Sequence, residues 1–430
     1  MEQPLRIALA GIGTVGVGVI RLLDANRDLI ERRAGRPFTI VAISGRDRGR
    51  DRGVDVAGID WVDDPLALAR RDDVDAVVEV IGGADGVALT LARETLAQGK
   101  AFVTANKAMI AHHGLELAAS AERSGAALKY EAAVAGGIPV IKGLREGAAA
   151  NEISRVYGIL NGTCNYILTR MESEGRNFAD ALAEAQAKGF AEADPSFDID
   201  GVDTAHKLSI LASLAFGTRL DFPAIAIAGV RHVTAADIAE AQALGFRVRL
   251  VGLAEAGSGG LFQRVHPCLV PMDHPLAHVA GSLNAVVAEG NYVGRLFFEG
   301  RGAGEGPTAS AVVADLIDIA RAEYGPAFAM PVDKLVALAP APSGARRGRA
   351  YLRFTVADRP GVLAEITAAM RDAGVSIESM IQRSASATGG VLLVMVTHVG
   401  AEHCVTDALA RLQGSPNMLR PPMLMHILDV

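Results

Sequence analysis

Short apolar runs and amphipathic segments alternate along the first third of the chain. The runs are typical of buried strands, and the segments between them carry apolar residues at the three- and four-residue spacing of helices. The predicted strands are 6–10, 38–43, 76–81, 101–104 and 127–130, and helices are predicted at 86–98 and 114–124. Repeated βαβ units of this length predict an α/β fold with a Rossmann-type, doubly wound parallel sheet.

A different pattern occupies the C-terminal end. Residues 339–348, APAPSGARRG, have the composition of a linker. The elements predicted after it are strand, helix, strand, strand, helix and strand, at 351–356, 362–372, 376–382, 391–398, 404–413 and 424–428. This order is typical of a ferredoxin-like domain.

The patterns divide the chain of 430 residues, which is too long for one ordinary core. We expect a dinucleotide-binding domain at 1–132, completed by a returning helix at 305–325. An α+β domain follows at 133–304. A linker at 326–349 then leads to the ferredoxin-like domain at 350–430.

Composition and charge narrow the class of protein. Half of the residues are apolar, 47 are glycine and only 5% are aromatic, the balance of an α/β protein with many tight turns. The net charge of −7, with no basic patch, argues against nucleic acid as a partner. No run of 18 apolar residues follows the N-terminal strand, so no membrane partner is expected, and three cysteines without a C-x-x-C pattern fit a reducing, cytoplasmic compartment.

A glycine-rich motif follows the first predicted strand at once. It reads Gly11-Ile-Gly-Thr-Val-Gly16 and leads into a predicted helix. Gly11 permits the tight turn, Gly13 lets the backbone approach a pyrophosphate, and Gly16 allows close packing of helix on strand. The helix N-terminus, where Thr14 and Val15 lie, offers free N–H groups to phosphates. Strand, motif and helix in this order predict a dinucleotide site.

The end of the second strand bears on the choice of cofactor. Ser44 stands where an acidic residue would hold the ribose hydroxyls of NAD, and Arg46 is placed to bind the 2′-phosphate of NADP. We therefore predict NADP, with Arg46 as a cofactor-binding residue. Asp47 leaves NAD open, and a solvated surface charge is the alternative interpretation of Arg46.

Residues 185–207, AQAKGFAEADPSFDIDGVDTAHK, carry the most varied chemistry. Glycine and proline break the first half into a loop, and from Gly201 onward the apolar spacing predicts a helix. Asp203 and Lys207 are one turn apart near its start, an arrangement that is often only a surface ion pair. The acidic loop in front of the helix favours a site for a small zwitterionic substrate instead.

This segment closely resembles the signature of homoserine dehydrogenases, A-x-x-x-G-F-A-x-x-D-P-x-x-D-I-x-G-x-D-x-x-x-K. Residues 103–107 (VTANK), 158–166 (GILNGTCNY) and 300–310 (GRGAGEGPTAS) match that family in the same order. The resemblance covers nearly the whole chain. It implies an oxidoreductase that interconverts L-aspartate 4-semialdehyde and L-homoserine in threonine and methionine biosynthesis. It also implies that the middle domain binds substrate and dimerises.

The resemblance implies roles for individual residues. Lys207 is implied as the proton donor, with Lys107 and Asp203 also in the catalytic group. Glu192 and Asp203 are implied to hold the polar end of the substrate. The cofactor site is implied to include Gly189, Gly304 and Lys107.

The roles of other residues in these segments are less specific. Asn161 and Thr163 are candidates for substrate hydrogen bonds or for capping the helix that follows. Cys164 is interpreted as packing, since it lies inside a homoserine dehydrogenase-type motif. The remaining acids of the loop, expected only to shape it, are Asp194, Asp198 and Asp200.

A glycine-rich crossover at 130–139, YEAAVAGGIP, places carbonyl groups beside one carboxylate. From the residues alone it is an ordinary crossover without an ion. Homoserine dehydrogenases hold a monovalent cation, sodium by preference, on a similar loop. The ligands that the resemblance implies are the Glu131 side chain and the carbonyls of Val134, Gly136 and Ile138.

The loop that opens the ferredoxin-like domain, Asp358-Arg-Pro-Gly361, resembles the amino-acid-binding loop of ACT domains. Pro360 starts the helix and Gly361 bares its N–H, which suits a carboxylate. The resemblance implies that Asp358, Arg359, Pro360 and Gly361 bind an amino-acid effector such as threonine. An ACT-like module that only aids assembly is the alternative, and a homodimer or homotetramer is expected.

Two rival classes of function stay open at this point. An aspartate-semialdehyde dehydrogenase-like enzyme would use phosphate and a reactive thiol, for which Cys164 is the candidate. A non-catalytic amino-acid sensor would keep the fold without the chemistry.

Overall fold

A computed structural model describes residues 3–342, 344–384 and 390–429. Six parallel strands form the N-terminal sheet, and their order across it is Asp60–Trp61, Phe38–Ser44, Leu5–Ala10, Ala76–Glu79, Ala101–Thr104 and Leu128–Lys129. The helices between them are Thr14–Ala25, Arg27–Ala34, Val87–Ala97 and Lys107–Ser124, with a 3₁₀ turn at Pro65–Leu68. The predicted Rossmann-type sheet is confirmed.

One helix of this domain begins earlier than the sequence predicts. We expected it at 114, but it starts at Lys107, because the Asn106 side chain caps it by accepting a 3.1 Å hydrogen bond from the N–H of Met109. Gly114 is not a boundary. It gives room to Phe328, whose ring would lie 2.9 Å from a Cβ at that position.

The chain returns to the first domain after the middle one. Helix Glu305–Ala320 packs on helix Thr14–Ala25, and Gly18 makes this contact close, since a Cβ there would lie 2.9 Å from the carbonyl oxygen of Glu305. Arg21 and Glu305 form an ion pair at 2.8 Å across the same contact.

The middle domain is built on a mixed sheet whose strands, in order, are Gly294–Arg301, Leu283–Gly290, Ile153–Ile159, Phe246–Gly257 and Gly260–Pro271, with Ala226–Ile227 paired to the last. Its helices are Gly162–Glu174, Phe178–Ala187, Ser196–Ile199, Val202–Phe216 and Ala235–Ala243. Short turns lie at Glu131–Ala133, Val140–Lys142, Gly143–Gly147, Phe222–Ala224 and Pro275–His278. Helix Val202–Phe216 is buried along most of its length, which makes it the centre of the domain.

The C-terminal domain has the predicted ferredoxin-like order. Its strands are Ala350–Ala357, Ile377–Ser384, Gly390–Thr397 and Met423–Ile427, and its helices are Val362–Asp372 and Glu402–Arg411. Its sheet continues that of the middle domain, because Met423–Ile427 pairs in parallel with Gly260–Pro271. The expected pair of separate domains is therefore joined edge to edge into one ten-stranded sheet.

The segment at 326–349 is packed against the domains on both sides of it. Phe328 is fully buried, and residues Val332–Lys334 form a turn. Arg346 bonds Glu255 at 3.1 Å and Glu402 at 3.3 Å, and Arg347–Gly348 pairs with Gly400–Ala401. The linker composition of this segment does not make it a free tether.

No helix within the described ranges is long and apolar enough to cross a membrane.

Candidate active site

The glycine-rich turn leaves an open cradle at the start of helix Thr14–Ala25. Gly11 has φ +102°, and a Cβ there would lie 2.8 Å from the carbonyl oxygen of Val80. A Cβ at Gly16 would lie 2.1 Å from the carbonyl oxygen of Gly11, whereas a Cβ at Gly13 would meet nothing within 4 Å. Free space at Gly13, at a helix N-terminus, fits a pyrophosphate, so the residues present suit a dinucleotide.

Gly304 provides a second glycine turn beside the first. It caps helix Glu305–Ala320 with φ +114°, and that helix packs on helix Thr14–Ala25. Two helix N-termini with bare backbone therefore lie in adjacent elements of one domain.

Two arginines of the loop after strand Phe38–Ser44 differ in their surroundings. Arg46 is exposed. Arg52, which the sequence analysis did not select, donates a 3.1 Å hydrogen bond from Nε to the Ile12 carbonyl in the glycine turn. Its guanidinium lies 5.5 Å from the centre of the Trp61 ring. Arg52 thus holds the loop against the cradle, while Arg46 stays free for an anion.

Asp203 lies between two lysines from different domains. Its Oδ2 accepts a 2.7 Å hydrogen bond from Nζ of Lys207, and its Oδ1 lies 2.8 Å from Nζ of Lys107. The Asp203 side chain is 3% exposed and that of Lys207 is 8% exposed. The surface ion pair that the sequence left open is ruled out, and the pair lines a buried site at the carboxyl end of strand Ala101–Thr104.

The two lysines differ in how readily they lose a proton. Burial lowers the pKa of Lys207, and Lys107 nearby lowers it further, against the attraction of Asp203. Burial also opposes the charge of Lys107, but Asp203 outweighs it, so the pKa of Lys107 is raised. Lys207 is therefore the better proton donor of the two.

The carboxylate between them stays ionised. Burial by itself would raise the pKa of Asp203, but Lys207 and Lys107 together lower it far below its usual range. Asn161 adds a 2.8 Å hydrogen bond from Nδ2 to Oδ2 of Asp203. The site thus keeps two positive groups around one fixed negative charge.

Asp198 belongs to the site, although the sequence analysis gave it only a loop-shaping role. Its Oδ1 accepts a 2.8 Å hydrogen bond from the Asn161 side chain, whose Nδ2 also bonds Asp203. Burial and the charge of Asp203 raise the pKa of Asp198. The signal in the sequence was its position five residues before Asp203, in the short helix Ser196–Ile199 that directly precedes helix Val202–Phe216.

The other acids of the loop lie outside this centre. Glu192 is exposed, and its charge contributes to the raised pKa of Lys107. Asp194 accepts a 3.1 Å hydrogen bond from the N–H of Ser196, and Asp200 pairs with Arg231 at 2.9 Å. Gly189 turns the chain at φ +74°, where a Cβ would meet nothing within 4 Å.

The short segment after strand Ile153–Ile159 holds several side chains of the site in place. Asn161 caps helix Gly162–Glu174 by accepting a 2.8 Å hydrogen bond from the N–H of Cys164. Thr163 does not cap; its hydroxyl donates to the Phe190 carbonyl at 2.7 Å and so tethers the loop. The Leu160 carbonyl accepts a 2.7 Å hydrogen bond from Nζ of Lys207.

Cys164 lacks the features of a nucleophile. It is fully buried, and burial raises the pKa of its thiol well above the usual value. Its Sγ donates to the Asp198 carbonyl at 3.3 Å. Burial therefore disfavours the thiolate that an aspartate-semialdehyde dehydrogenase needs, which agrees with the packing interpretation.

Glu79 was also missed by the sequence analysis. It is fully buried at the end of strand Ala76–Glu79, where Oε1 accepts hydrogen bonds from the N–H groups of Ile81 at 2.7 Å and Gly82 at 2.9 Å. Its Oε2 accepts a 2.6 Å bond from the Thr104 hydroxyl. Glu79 fixes the loop between the glycine cradle and Lys107, but a lone glutamate in an apolar run gives no clear signal in sequence.

The crossover proposed to hold a cation has an unusual backbone. Ala135 and Gly136 have φ values of +56° and +54°, although alanine rarely adopts this conformation. Both oxygens of Glu131 already accept 2.9 Å hydrogen bonds, from the N–H groups of Ile141 and Lys142. Burial and the charge of Asp315 raise the pKa of Glu131 to about 7. The turn carbonyls fit a cation better than the Glu131 side chain does.

Three matches to family models cover the chain. Residues 11–131 match the homoserine dehydrogenase NAD-binding domain, 139–317 match homoserine dehydrogenase, and 350–414 match the ACT domain.

Named relatives agree with these matches. A homoserine dehydrogenase of Pseudomonas aeruginosa is 42% identical, over 99% of this chain and 99% of that protein. The crystal structure of a homoserine dehydrogenase from Thiobacillus denitrificans is 40% identical, with a TM-score of 0.93 over 99% of each chain. A hyperthermophilic archaeal homoserine dehydrogenase in complex with NADPH is 28% identical, with a TM-score of 0.65 over 76% of this chain and all of that one.

Proposed function

The chain belongs to the homoserine dehydrogenase family of NAD(P)-dependent oxidoreductases, and from this premise we propose how its own residues interconvert L-aspartate 4-semialdehyde and L-homoserine. The bound nicotinamide supplies or accepts the hydride. The protein then has to deliver one proton to the oxygen of the aldehyde carbon, or to remove it in the reverse direction.

Lys207 is the proposed proton donor, and the observation that carries this role is its hydrogen-bond geometry. An ammonium has three N–H groups. Two of those on Lys207 are held, by the Leu160 carbonyl and by Asp203, which leaves the third in a fixed direction. A lowered pKa brings the group closer to neutral pH, where a general acid works best.

Lys107 takes a different part in the proposal. Because Asp203 raises its pKa, Lys107 stays charged and stabilises the developing alkoxide. Its side chain bonds Asp203 of the middle domain at 2.8 Å and is still 35% exposed, so part of it remains accessible to a ligand. This position also allows it to contact the cofactor.

The carboxylates divide the remaining work. Each carboxylate oxygen of Asp203 bonds one lysine, so its main function is to position Lys207 and Lys107. A remaining lone pair can accept a hydrogen bond from the substrate. Glu192 is exposed and its charge acts on Lys107, so Glu192 is proposed, with Asp203 and the neighbouring Asp198, to bind the substrate ammonium group. Gly189 and Gly304, with the cradle at Gly11–Gly16, are proposed to line the cofactor.

The function is tested by following NADPH absorbance with aspartate semialdehyde in phosphate-free buffer. We expect turnover in the absence of phosphate. A thiol reagent should not reduce this turnover, because Cys164 is buried and burial raises the pKa of its thiol. An absolute requirement for phosphate would support the aspartate-semialdehyde dehydrogenase class, and no turnover at all would support a sensor.

NADP is the proposed cofactor because Arg46 is exposed and free at the tip of strand Phe38–Ser44. Replacing Arg46 by alanine should raise KM for NADPH about 10-fold or more, since a charged hydrogen bond to phosphate contributes about 1.5–3 kcal/mol. KM for NADH should change little. Arg48→Ala, which removes another exposed arginine of the same loop, is the control. Equal changes for both cofactors would contradict the 2′-phosphate contact.

A monovalent cation, sodium, is proposed at the crossover, held by the carbonyls of Val134, Gly136 and Ile138 with Glu131. In the described part of the chain no three His, Cys, Asp or Glu side chains cluster as a metal site, so carbonyls are the ligands to consider. The left-handed backbone of Ala135, which alanine rarely adopts, supports this choice.

An amino-acid effector, threonine, is proposed at Asp358–Gly361. These residues are on the surface, and Gly361 begins helix Val362–Asp372 with φ +94° and open space around it. Melting temperatures in sodium or choline chloride at equal ionic strength, with and without threonine or methionine, test both sites. We expect sodium, but not choline, and threonine, but not methionine, to raise the melting temperature. No shift with sodium would contradict the cation site, and no shift with threonine would contradict the effector site.

A homodimer or homotetramer is proposed from the free edge of the large sheet. Strand Gly294–Arg301 is last in the sheet and has Phe297 and the neighbouring Tyr292 exposed, the latter at 91%. An edge strand leaves backbone N–H and C=O groups unpaired, and exposed aromatic rings beside it favour pairing with a second chain. Light scattering after gel filtration distinguishes monomer, dimer and tetramer.

A further inference from the structure

Asn284 is a polar side chain buried next to the proposed proton donor. It lies in strand Leu283–Gly290 and is 1% exposed. Its Nδ2 donates a 2.9 Å hydrogen bond to the Leu160 carbonyl, the same oxygen that accepts the 2.7 Å bond from Nζ of Lys207. A carbonyl oxygen has two lone pairs, so it serves both donors.

Asn284 also touches the second glycine-rich loop. A Cβ at Gly302 would lie 2.0 Å from Nδ2 of Asn284, so the amide lies flat against this glycine. Gly302 is two residues before Gly304, in the loop proposed to line the cofactor. On its other side a Cβ at Gly136 would lie 2.4 Å from the Gly302 carbonyl oxygen. The loop is therefore clamped between Asn284 and the crossover.

The orientation of the amide is set by the Leu160 carbonyl. Oδ1 of Asn284 is buried without a hydrogen-bond partner among the described residues. Turning the amide over would place Oδ1 against the Leu160 carbonyl oxygen, two acceptors facing each other. A buried oxygen without a donor costs stability, so the Nδ2 bond to Leu160 is the hydrogen bond that fixes this amide.

We propose that Asn284 is a positioning residue for proton transfer: it holds the Leu160 carbonyl, and through it Lys207, in a fixed place relative to the glycine loop at Gly302. This inference rests on the proposed role of Lys207. Two of the three N–H groups of Lys207 are bonded, and the direction of the third depends on both acceptors staying in place. Without Asn284 the Leu160 carbonyl loses one of its two hydrogen bonds and is held less firmly, and a displacement of about 1 Å at the reacting groups costs about 100-fold in rate.

Asn284→Ala is expected to lower kcat about 10- to 100-fold at saturating cofactor, with KM for aspartate semialdehyde changed less than about 3-fold. The matched control is Asn165→Ala. Asn165 is also 1% exposed, also leaves Oδ1 without a partner in the described structure, and donates from Nδ2 to the carbonyls of Val279 at 3.2 Å and Leu283 at 3.1 Å. Its side-chain hydrogen bonds go to Val279 and Leu283 and not to the Leu160 carbonyl, so its variant should melt earlier but keep kcat within about 2-fold.

Asn284→Asp keeps the shape of the side chain and so carries the test if the alanine variant does not fold. An ionised carboxylate cannot donate to the Leu160 carbonyl, and it adds a negative charge beside the Lys207 ammonium. The alkaline limb of the kcat profile for aldehyde reduction should move up by about one pH unit, because a nearby opposite charge favours the protonated lysine. Asn165→Asp should leave that limb in place.

Two results separate this inference from the one it rests on. If Lys207→Ala loses activity but the Asn284 variants match the Asn165 variants in kcat and pH profile, the positioning role is wrong and the donor stands. If Lys207→Ala keeps the full rate, the donor assignment fails whatever Asn284 does. A lower kcat together with a shifted limb, found only in the Asn284 variants, supports the positioning role.

Discussion

Lys207→Ala should lower kcat for aldehyde reduction by about 100- to 10,000-fold, the usual contribution of a positioned general acid. The substitution removes the ammonium that Asp203 and the Leu160 carbonyl orient, and neighbouring groups cannot replace it. Lys107 does not take over, since Asp203 raises its pKa and holds its proton more tightly. KM for the cofactor should change little, because Lys207 lies in the middle domain, on helix Val202–Phe216, and not in the NAD-binding domain.

The pH profile tests the same role in the unmodified enzyme. With Lys207 as the proposed donor, aldehyde reduction requires its protonated form. The kcat for reduction should therefore fall as the pH rises through the lowered pKa of Lys207, below the range of an ordinary lysine. Homoserine oxidation needs the neutral amine and should rise over the same interval. This dependence should vanish in Lys207→Ala.

Lys129→Ala is the matched control for the lysine substitution. Lys129 is 2% exposed and pairs with Asp318 at 3.0 Å, so its loss also breaks a buried ion pair. It should lower the free energy of unfolding without removing the alkaline limb of the profile. An equal loss of kcat and of pH dependence in both variants would show that destabilisation, and not proton donation, explains the Lys207 result.

Asp203→Asn should damage both stability and activity. The asparagine keeps the shape but leaves the ammonium groups of Lys207 and Lys107 without their counter-charge, and breaking a buried pair costs about 3–5 kcal/mol. The pKa of each lysine should fall, so the alkaline limb of aldehyde reduction should move to lower pH. We expect kcat at neutral pH to drop about 100-fold or more, because the lysines lose their orientation as well as their charge.

Acid titration gives the sign of the stability effect. The depressed pKa of Asp203 stabilises the fold above the pKa of an unfolded aspartate, and this stabilisation is lost as the pH falls toward the folded-state pKa. As the pH falls from about 5 to about 2, the free energy of unfolding should therefore decrease less for Asp203→Asn than for the native protein. Urea unfolding across this range measures the difference.

Asp200→Asn provides the comparison for Asp203. Asp200 lies in the same loop and pairs with Arg231, but its side chain is 43% exposed. An exposed pair contributes at most about 1 kcal/mol, so its variant should stay close to the native protein in stability and rate. A similar loss in both aspartate variants would argue for a general effect of the loop rather than for the lysine pair.

The sequence could predict much of the fold because the signals lie close together along the chain. The turn at Gly11–Gly16 follows its strand directly, and the four-residue spacing of Asp203 and Lys207 places them on one helix face. The six-element order after residue 350 likewise predicts the ferredoxin-like domain, which the structure confirms. Helix starts were less certain, as Lys107–Ser124 shows, because a cap such as Asn106 competes with a glycine as the apparent boundary.

The sequence by itself determined the order of most elements in the first and last domains, the dinucleotide cradle and the candidate pair on helix Val202–Phe216, since backbone propensity and side-chain spacing act over a few residues. Only the tertiary structure brought Lys107 onto Asp203, placed Asn284 on the carbonyl that Lys207 uses, and joined the two sheets at Met423–Ile427. Those contacts connect residues about a hundred or more positions apart. The packing of the domains decides these contacts. It also decides the pKa of Lys207, because this pKa depends on burial and on the charges that packing brings near the ammonium group.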